Sequence, residues 1–307
     1  MKLKTLFSFL VIILSQALSQ NLERIEPPFW WAGFKGDELQ LMLHGENISK
    51  LRPEIKNSGI KIEKVHNVDS PNYLFLDLKL NDNVPQTFEI QFFNKNEKVL
   101  SHDYELKKRE ASFYREKFLS ASDVIYLIMP DRFANGDKSN DEVDGLIEKS
   151  NRKSKDGRHG GDLQGIIDNL NYIESMGFTH IWLNPVLENN QPDFSYHGYS
   201  TTDYYQVDKR FGSNALYKQL SKEAAKRGLG IIKDLVLNHI GSGHWWMDDL
   251  PTKDWLNHQD KYIQTNHVHE TVFDPYVTRA QRDLFTDGWF VETMPDLIKE
   301  MNLLQTI

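Results

Sequence analysis

The chain has 307 residues, enough for two domains, and its composition is that of a globular protein, with 39% hydrophobic and 26% charged residues. The formal net charge is −8 and the sequence contains no basic run, which argues against nucleic acid and anionic membrane surfaces as partners. This charge balance is compatible with a neutral ligand. The absence of cysteine excludes disulfides, so stability must come from the core or from bound metal.

The first twenty residues are typical of a secretory signal peptide. Lys2 and Lys4 give a positive start, and the apolar stretch Leu6–Leu14 is too short to span a membrane. Small residues follow at Ala17–Ser19, where a signal peptidase would cleave. We expect residues 1–20 to be removed and the protein to be secreted or periplasmic, without later membrane contact. An uncleaved anchor is the alternative.

Residues 21–105 contain short segments in which apolar and polar residues alternate, separated by turn residues such as Gly36-Asp37. The pattern predicts a small antiparallel β-sandwich of the immunoglobulin-like type. Its predicted strands are Glu38–His44, Ile60–Val65, Asn72–Leu80 and Thr87–Phe93. Residues 106–119 are charged and indicate a linker.

From residue 120 onwards, strands and helices alternate, which is the signature of a parallel α/β fold. A doubly wound sheet and a (β/α)8 TIM barrel both fit. No Gly-x-Gly-x-x-Gly follows the first strand, and long loops follow each strand, which favours the barrel, whose chemistry lies at the C-terminal strand ends. The predicted strands are 124–129, 179–183 and a third that runs to Leu237, and the predicted helices are 163–176 and 214–227.

Several short motifs occur along this chain in a specific order. They are Pro27–Gly33 with His44-Gly45, Tyr196–Tyr199 followed by Asp203-Tyr-Tyr, Asp234–His239, and Met294–Leu297. Together they resemble the α-amylase family of glycoside hydrolases (family 13), in particular its neopullulanase, cyclomaltodextrinase and maltogenic-amylase branch. The resemblance implies that residues 120–239 form the first three strands of the catalytic TIM barrel. It also implies that residues 240–307 begin the B-type domain inserted after strand three.

The segment from Asn135 to Asp141 carries four oxygen-bearing side chains within seven residues, which can wrap a hard cation such as calcium. A turn rich in Asn and Asp without any metal is the alternative. The resemblance implies a calcium site with these ligands: Asn135, Asp137, Asn140, Asp141, the carbonyl of Gly160, and Asp162.

The loop after strand two and the tip of strand three carry the candidate substrate-binding residues. A tyrosine ring offers a flat apolar face to a sugar, and the resemblance implies that Tyr199 stacks on the sugar beside the cleaved bond. It implies a sugar contact for His239, and His197 lies near the same unit. Asp234 is expected to support the active site. Its usual partner in the family is an arginine on strand four, so we expect an unpaired charge here.

Hydrolysis in the resembled family needs a nucleophile and a general acid about 5 Å apart. The segments that carry them do not occur in the 307 residues, and no catalytic residue is identified. We therefore expect a C-terminally truncated α-glucan hydrolase that is inactive alone and whose residues 120–307 are marginally stable. The full-length form would require no organic cofactor and would be compatible with a homodimer. A non-catalytic glucan-binding protein is the alternative, and an unrelated parallel α/β enzyme would leave the ordered motifs unexplained.

Overall fold

The computed structural model describes residues 21–57, 59–109 and 119–298. The predicted signal peptide and most of the predicted linker lie outside these residues. The chain divides into two compact units: Met1–Asn67 with Pro71–Lys107, and Val68–Ser70 with Lys108–Ile307. No helix in the described part of the chain is long and apolar enough to cross a membrane.

The first unit is a β-sandwich, which confirms the predicted fold of this region. Two four-stranded sheets have the orders β1-β3-β6-β5 and β2-β8-β7-β4. Buried side chains such as Leu41, Leu76, Ile90 and Phe92 form one core cluster between the sheets. The strands are β1 Arg24–Glu26, β2 Trp30–Trp31, β3 Glu38–His44, β4 Arg52–Ile55, β5 Ile60–His66, β6 Tyr73–Leu80, β7 Gln86–Asn94 and β8 Glu97–Lys107.

Half of these strands were not among those predicted from the sequence. The four predicted strands match β3, β5, β6 and β7 to within one residue at each end. The last strand, β8, continues to Lys107 and so occupies the start of the predicted linker, because it pairs along its length with β7 from Gln86 to Asn94.

The second unit is built on a three-stranded parallel sheet in which β10 is central. This is the arrangement predicted for the first three strands of a barrel, with helices between the strands. The elements are β9 Ile125–Ile128, α1 Pro130–Phe133, α2 Leu163–Asp168, α3 Leu170–Ser175, β10 His180–Leu183, β11 Leu187–Glu188, β12 Asp203–Val207, α4 Asn214–Lys226, β13 Gly230–Lys233 and α5 Arg279–Thr286.

Two boundaries in this unit differ from the prediction. The third strand ends at Lys233 rather than Leu237, because its pairing partner β10 ends at Leu183, which is opposite Lys233. The chain then turns at Pro185, which has no backbone N–H to extend the ladder. The first predicted helix is divided at Asn169, whose side-chain amide donates to the carbonyl of Gly165 and competes with the helical hydrogen bonds.

The two faces of the parallel sheet differ in burial. Ile128, Ile181 and Leu183 are buried against the helices, as members of one core cluster. On the opposite face Leu127 is 57% exposed and Trp182 is 40% exposed. Parallel sheets are usually covered on both faces, so this face presents apolar area to solvent in the described residues. The marginal stability expected for residues 120–307 stays a prediction.

The segment after β13 has little regular structure. Trp246 and Trp255 are buried there and meet edge to face, with ring centroids 5.3 Å apart. These two rings therefore form a small core rather than a sugar-binding surface.

Candidate functional site

Asp234 follows directly after β13 and is not an isolated charge, contrary to the expectation from the sequence. The phenol of Tyr199 donates to its Oδ2 at 3.1 Å, and the indole N–H of Trp182 donates to the same oxygen at 3.3 Å. The carboxylate is half-buried, so two neutral donors and solvent contact can satisfy it without an arginine. The tips of β10 and β13 and the loop that carries Tyr199 thus meet at one point.

The loop that carries Tyr199 is a tight turn over residues Ser195–His197 with left-handed residues on both sides. Phe194 has φ of 58° and Gly198 has φ of 84°. A Cβ at Gly198 would lie 2.0 Å from the carbonyl oxygen of Pro185, so only glycine fits at this close approach. The turn places the backbone N–H of Tyr199 3.0 Å from Nδ1 of His197, which therefore accepts a hydrogen bond.

The ring of His197 packs beside that of Tyr199, with centroids 5.7 Å apart. Burial, reinforced by the nearby ring of His239, lowers the pKa of His197 to about 4. The imidazole is therefore neutral near pH 7, in agreement with Nδ1 acting as an acceptor. Burial, together with the charge of Asp234, raises the pKa of Tyr199, so its phenol keeps the proton that it donates.

His239 is buried and uses both ring nitrogens within the protein. The carbonyl of Tyr199 can only accept, so Nε2 of His239 donates to it at 2.8 Å. Nδ1 then accepts from the side-chain amide of Asn238 at 3.2 Å. The ring thus fixes the backbone of Tyr199. A direct sugar contact by His239 stays a prediction, as does that of His197.

Asp296, within the Met294–Leu297 motif, was not identified as a site residue from the sequence, yet it holds the strand-three tip. It is 1% exposed, and its two carboxylate oxygens accept from the amides of Asn238 and Asn257, both at 2.9 Å. The backbone N–H of Leu297 also donates to the carbonyl of Asn238 at 3.1 Å. The motif therefore acts by anchoring the segment that presents His239.

The residues predicted to bind calcium converge. Gly160 has φ of +83°, and a Cβ at this position would meet Oδ1 of Asp141 at 2.4 Å and Nδ2 of Asn135 at 2.8 Å. The Oδ1 atoms of Asn135 and Asn140 are buried without a hydrogen-bond partner. Buried amide oxygens normally have a partner, and a hard cation would supply one. This set of oxygen atoms fits calcium.

Two members of the predicted set are engaged elsewhere. Asp137 directs its Oδ1 to Ser139, accepting from its backbone N–H at 2.9 Å and its hydroxyl at 2.6 Å. Asp162 accepts from the backbone N–H groups of Gly136, Asp137 and Gly165. Among the residues that the structure describes, no cluster of three or more His, Cys, Asp or Glu side chains is arranged for a metal, since the converging set consists largely of amide and carbonyl oxygens.

Four buried charged residues lie behind the site, and sequence patterns did not single them out. Asp208 and Arg210 form a paired salt bridge, with Nη2 of the arginine 2.7 Å from Oδ2 of the aspartate. Burial would raise the pKa of Asp208, but the hydrogen bonds from Arg210 and the positive charges of Arg210 and Arg158 hold it below its usual range. Asp131 and Arg158 are each 1% exposed. Only the position of Asp131 directly after β9 was a sequence signal.

A cavity of about 880 Å³ lies beside the strand-three tip, on the side of the inserted segment. Its lining includes Asn238, Asn257, Arg279, Phe285, Phe290 and Asp296. Neither Tyr199 nor His239 lines it. We therefore place the candidate sugar site at the Tyr199–Asp234 pair rather than in the cavity.

Two protein families match this chain. The α-amylase catalytic domain matches residues 127–297, and the cyclomaltodextrinase N-terminal domain matches residues 24–110. Neopullulanase 2 of Thermoactinomyces vulgaris is 39% identical over 198 residues, covering 54% of this chain and 33% of the neopullulanase. Cyclomaltodextrinase of Thermoanaerobacter pseudethanolicus is 35% identical over 150 residues, covering 47% of this chain and 25% of that enzyme. The chain thus spans a third or less of the length of these relatives.

A solved α-amylase from Anoxybacillus is 37% identical, covers 60% of this chain and 36% of that protein, and has a TM-score of 0.47. The catalytic-domain match alone extends over more than half of the chain, from the middle of β9 to the motif that anchors the strand-three tip. The chain therefore belongs to the α-amylase family of glycoside hydrolases and carries an N-terminal domain of the cyclomaltodextrinase type.

Proposed function

We propose that the Tyr199–Asp234 pair binds one glucosyl unit of an α-glucan such as starch, a malto-oligosaccharide, cyclodextrin or pullulan. The observation that carries the proposal is the hydrogen bond that holds the Tyr199 phenol on Asp234 at a strand tip, since it fixes the plane of an aromatic ring at the place where barrel enzymes bind ligands. An aromatic face held in this way can stack on the apolar side of a sugar ring.

The activity that we propose for the whole protein is retaining hydrolysis of α-glucans. The relatives carry the names neopullulanase and cyclomaltodextrinase, which supports this class of substrate. The 307 residues contain no Gly-x-Arg-x-Asp segment, so we expect this chain by itself to bind glucan without cleaving it.

Titration of the purified chain with maltotriose, followed by tryptophan fluorescence, tests the binding site. Tyr199→Ala should weaken binding about tenfold or more, because base or sugar stacking on an aromatic ring is a large part of such affinities. Tyr276→Ala is the matched control, since Tyr276 is 92% exposed and far from the strand tips in the chain. Equal affinity for the wild type and Tyr199→Ala would refute the site.

Release of reducing ends from starch and cyclodextrin tests the catalytic proposal separately. Binding without release supports the view that this chain holds the substrate site and lacks the reacting carboxylates. Release that His239→Ala abolishes would show that the chain contains a catalytic pair that we have not located. A protein that binds glucan and is complete without cleavage would be the non-catalytic alternative.

We further propose calcium as the cation at the oxygen set around Asn135 and Gly160. Bound there, calcium would supply the positive charge that lets the buried oxygens of Asn135 and Asn140 and the carboxylate of Asp141 lie together. Calcium should raise the melting temperature of the wild type and leave that of Asn135→Ala unchanged. An equal increase in both proteins would place the ion elsewhere.

Location and assembly are also proposals. The signal-like N-terminus supports a secreted or periplasmic protein, and N-terminal sequencing of the exported chain would test cleavage near Ser19. A homodimer of the full-length form is testable by sedimentation.

A further inference from the structure

The guanidinium of Arg158 is a buried charge that the proposed binding of glucan and calcium does not use. The residue is 1% exposed, and its guanidinium carbon lies 4.7 Å from the centre of the Phe211 ring. A charge is costly to bury unless it is paired, and such a group is retained where it serves two partners at once. The two partners of Arg158 lie in different segments of the chain.

The first partner is Asp131, whose Oδ1 lies 3.9 Å from Nε of Arg158. The same carboxylate accepts from the backbone N–H of His159 at 2.9 and 3.0 Å and from that of Gly160 at 3.2 Å. Asp131 and Arg158 therefore fix the backbone that presents Gly160 to the oxygen set.

The second partner is Ser195, whose hydroxyl oxygen accepts from Nη1 of Arg158 at 3.1 Å. The backbone N–H of Ser195 donates to Glu148 at 2.6 Å. Ser195 begins the turn that carries His197 and leads into Tyr199. The turn belongs to no helix ladder or sheet, so these two bonds determine where it starts.

We propose that Arg158 is a positioning residue that couples the cation site to the sugar-binding turn. A cation held at Gly160 fixes the segment behind Arg158, and Arg158 transmits that order to Ser195 and hence to Tyr199. A cation and a glucan then bind cooperatively, and each raises the affinity for the other by the same factor. This inference rests on the proposed function for its ligands but not for its structural core.

The structural core is tested without any ligand, by hydrogen–deuterium exchange of the full chain. Arg158→Met should accelerate exchange in residues 194–199 about tenfold, the change expected on losing one hydrogen bond to a charged group. Arg158→Lys should give a smaller increase, since one ammonium cannot reach both Asp131 and Ser195 as a planar guanidinium does. Arg152→Met, at an exposed arginine of the same loop, is the matched control.

Unchanged exchange in residues 194–199 of Arg158→Met would overturn the proposal. If Arg158→Met fails to fold, the exchange of Arg158→Lys decides in the same way, since it retains the buried charge.

The coupling itself is tested by measuring maltotriose affinity with and without calcium. Calcium should raise the affinity of the wild type about fivefold or more, the lower end of typical couplings. In Arg158→Met that ratio should fall to one. An equal ratio in both proteins would refute the coupling. Failure of the wild type to bind maltotriose at all would refute the proposed function instead, and the exchange experiment would still judge Arg158.

Discussion

Acidification should destabilise this protein through His197, and one substitution should remove the effect. Nδ1 of His197 accepts the backbone N–H of Tyr199 at 3.0 Å. A protonated ring would turn this acceptor into a donor that faces another donor. Asparagine can supply an oxygen at the place of Nδ1 and cannot be protonated, so His197→Asn keeps an acceptor and removes the titration.

The size of the effect follows from the pKa of His197, which burial lowers from 6.5 to about 4. Between these values the unfolded chain binds a proton at this position and the folded chain does not. Stability is therefore fully present above 6.5, decreases as the pH falls, and stops decreasing below about 4. Lowering the pH from 7 to 4.5 should cost about 2.5 kcal/mol at this residue.

Urea unfolding followed by tryptophan fluorescence at a series of pH values measures this loss. The wild type should lose about 2.5 kcal/mol more than His197→Asn over the interval, because other groups titrate equally in both proteins. His258→Asn is the control, since His258 is exposed and its left-handed φ of 51° suits asparagine. Parallel pH profiles for the wild type and His197→Asn would refute the reasoning.

Two further substitutions test the packing behind the site. Asp208→Asn should lower the free energy of unfolding by about 3 kcal/mol in urea titrations, because it leaves the buried Arg210 unpaired, whereas Asp283→Asn, at an exposed pair, should change it by less than about 1 kcal/mol; equal effects would contradict this. Gly198→Ala should lower the melting temperature far more than Gly145→Ala, since the φ values are 84° and 86° but only Gly198 faces a backbone oxygen at 2.0 Å. Similar melting temperatures would mean that the turn moves freely.

Local pattern was sufficient for the strands, the strand tips and the motifs. Period-two alternation identified β3 and β6 nearly to the residue, because both faces of a sandwich strand are written in consecutive side chains. The change from apolar residues to Asp234 and His239 placed the site at a strand tip for the same reason. The convergence of Asn135 and Gly160 followed from spacing, since these positions match a known set of ligands.

Pairing between distant segments was decided only by the tertiary structure. The end of β13 at Lys233 depends on where β10 ends, and the donors to Asp234 come from Trp182 and Tyr199, which lie 52 and 35 residues away in sequence. The pKa of His197 depends on burial, which no local pattern records. A sequence determines the period and chemistry of each segment, whereas the partner of a buried charge such as Arg158 is fixed only when remote segments pack around it and exclude water.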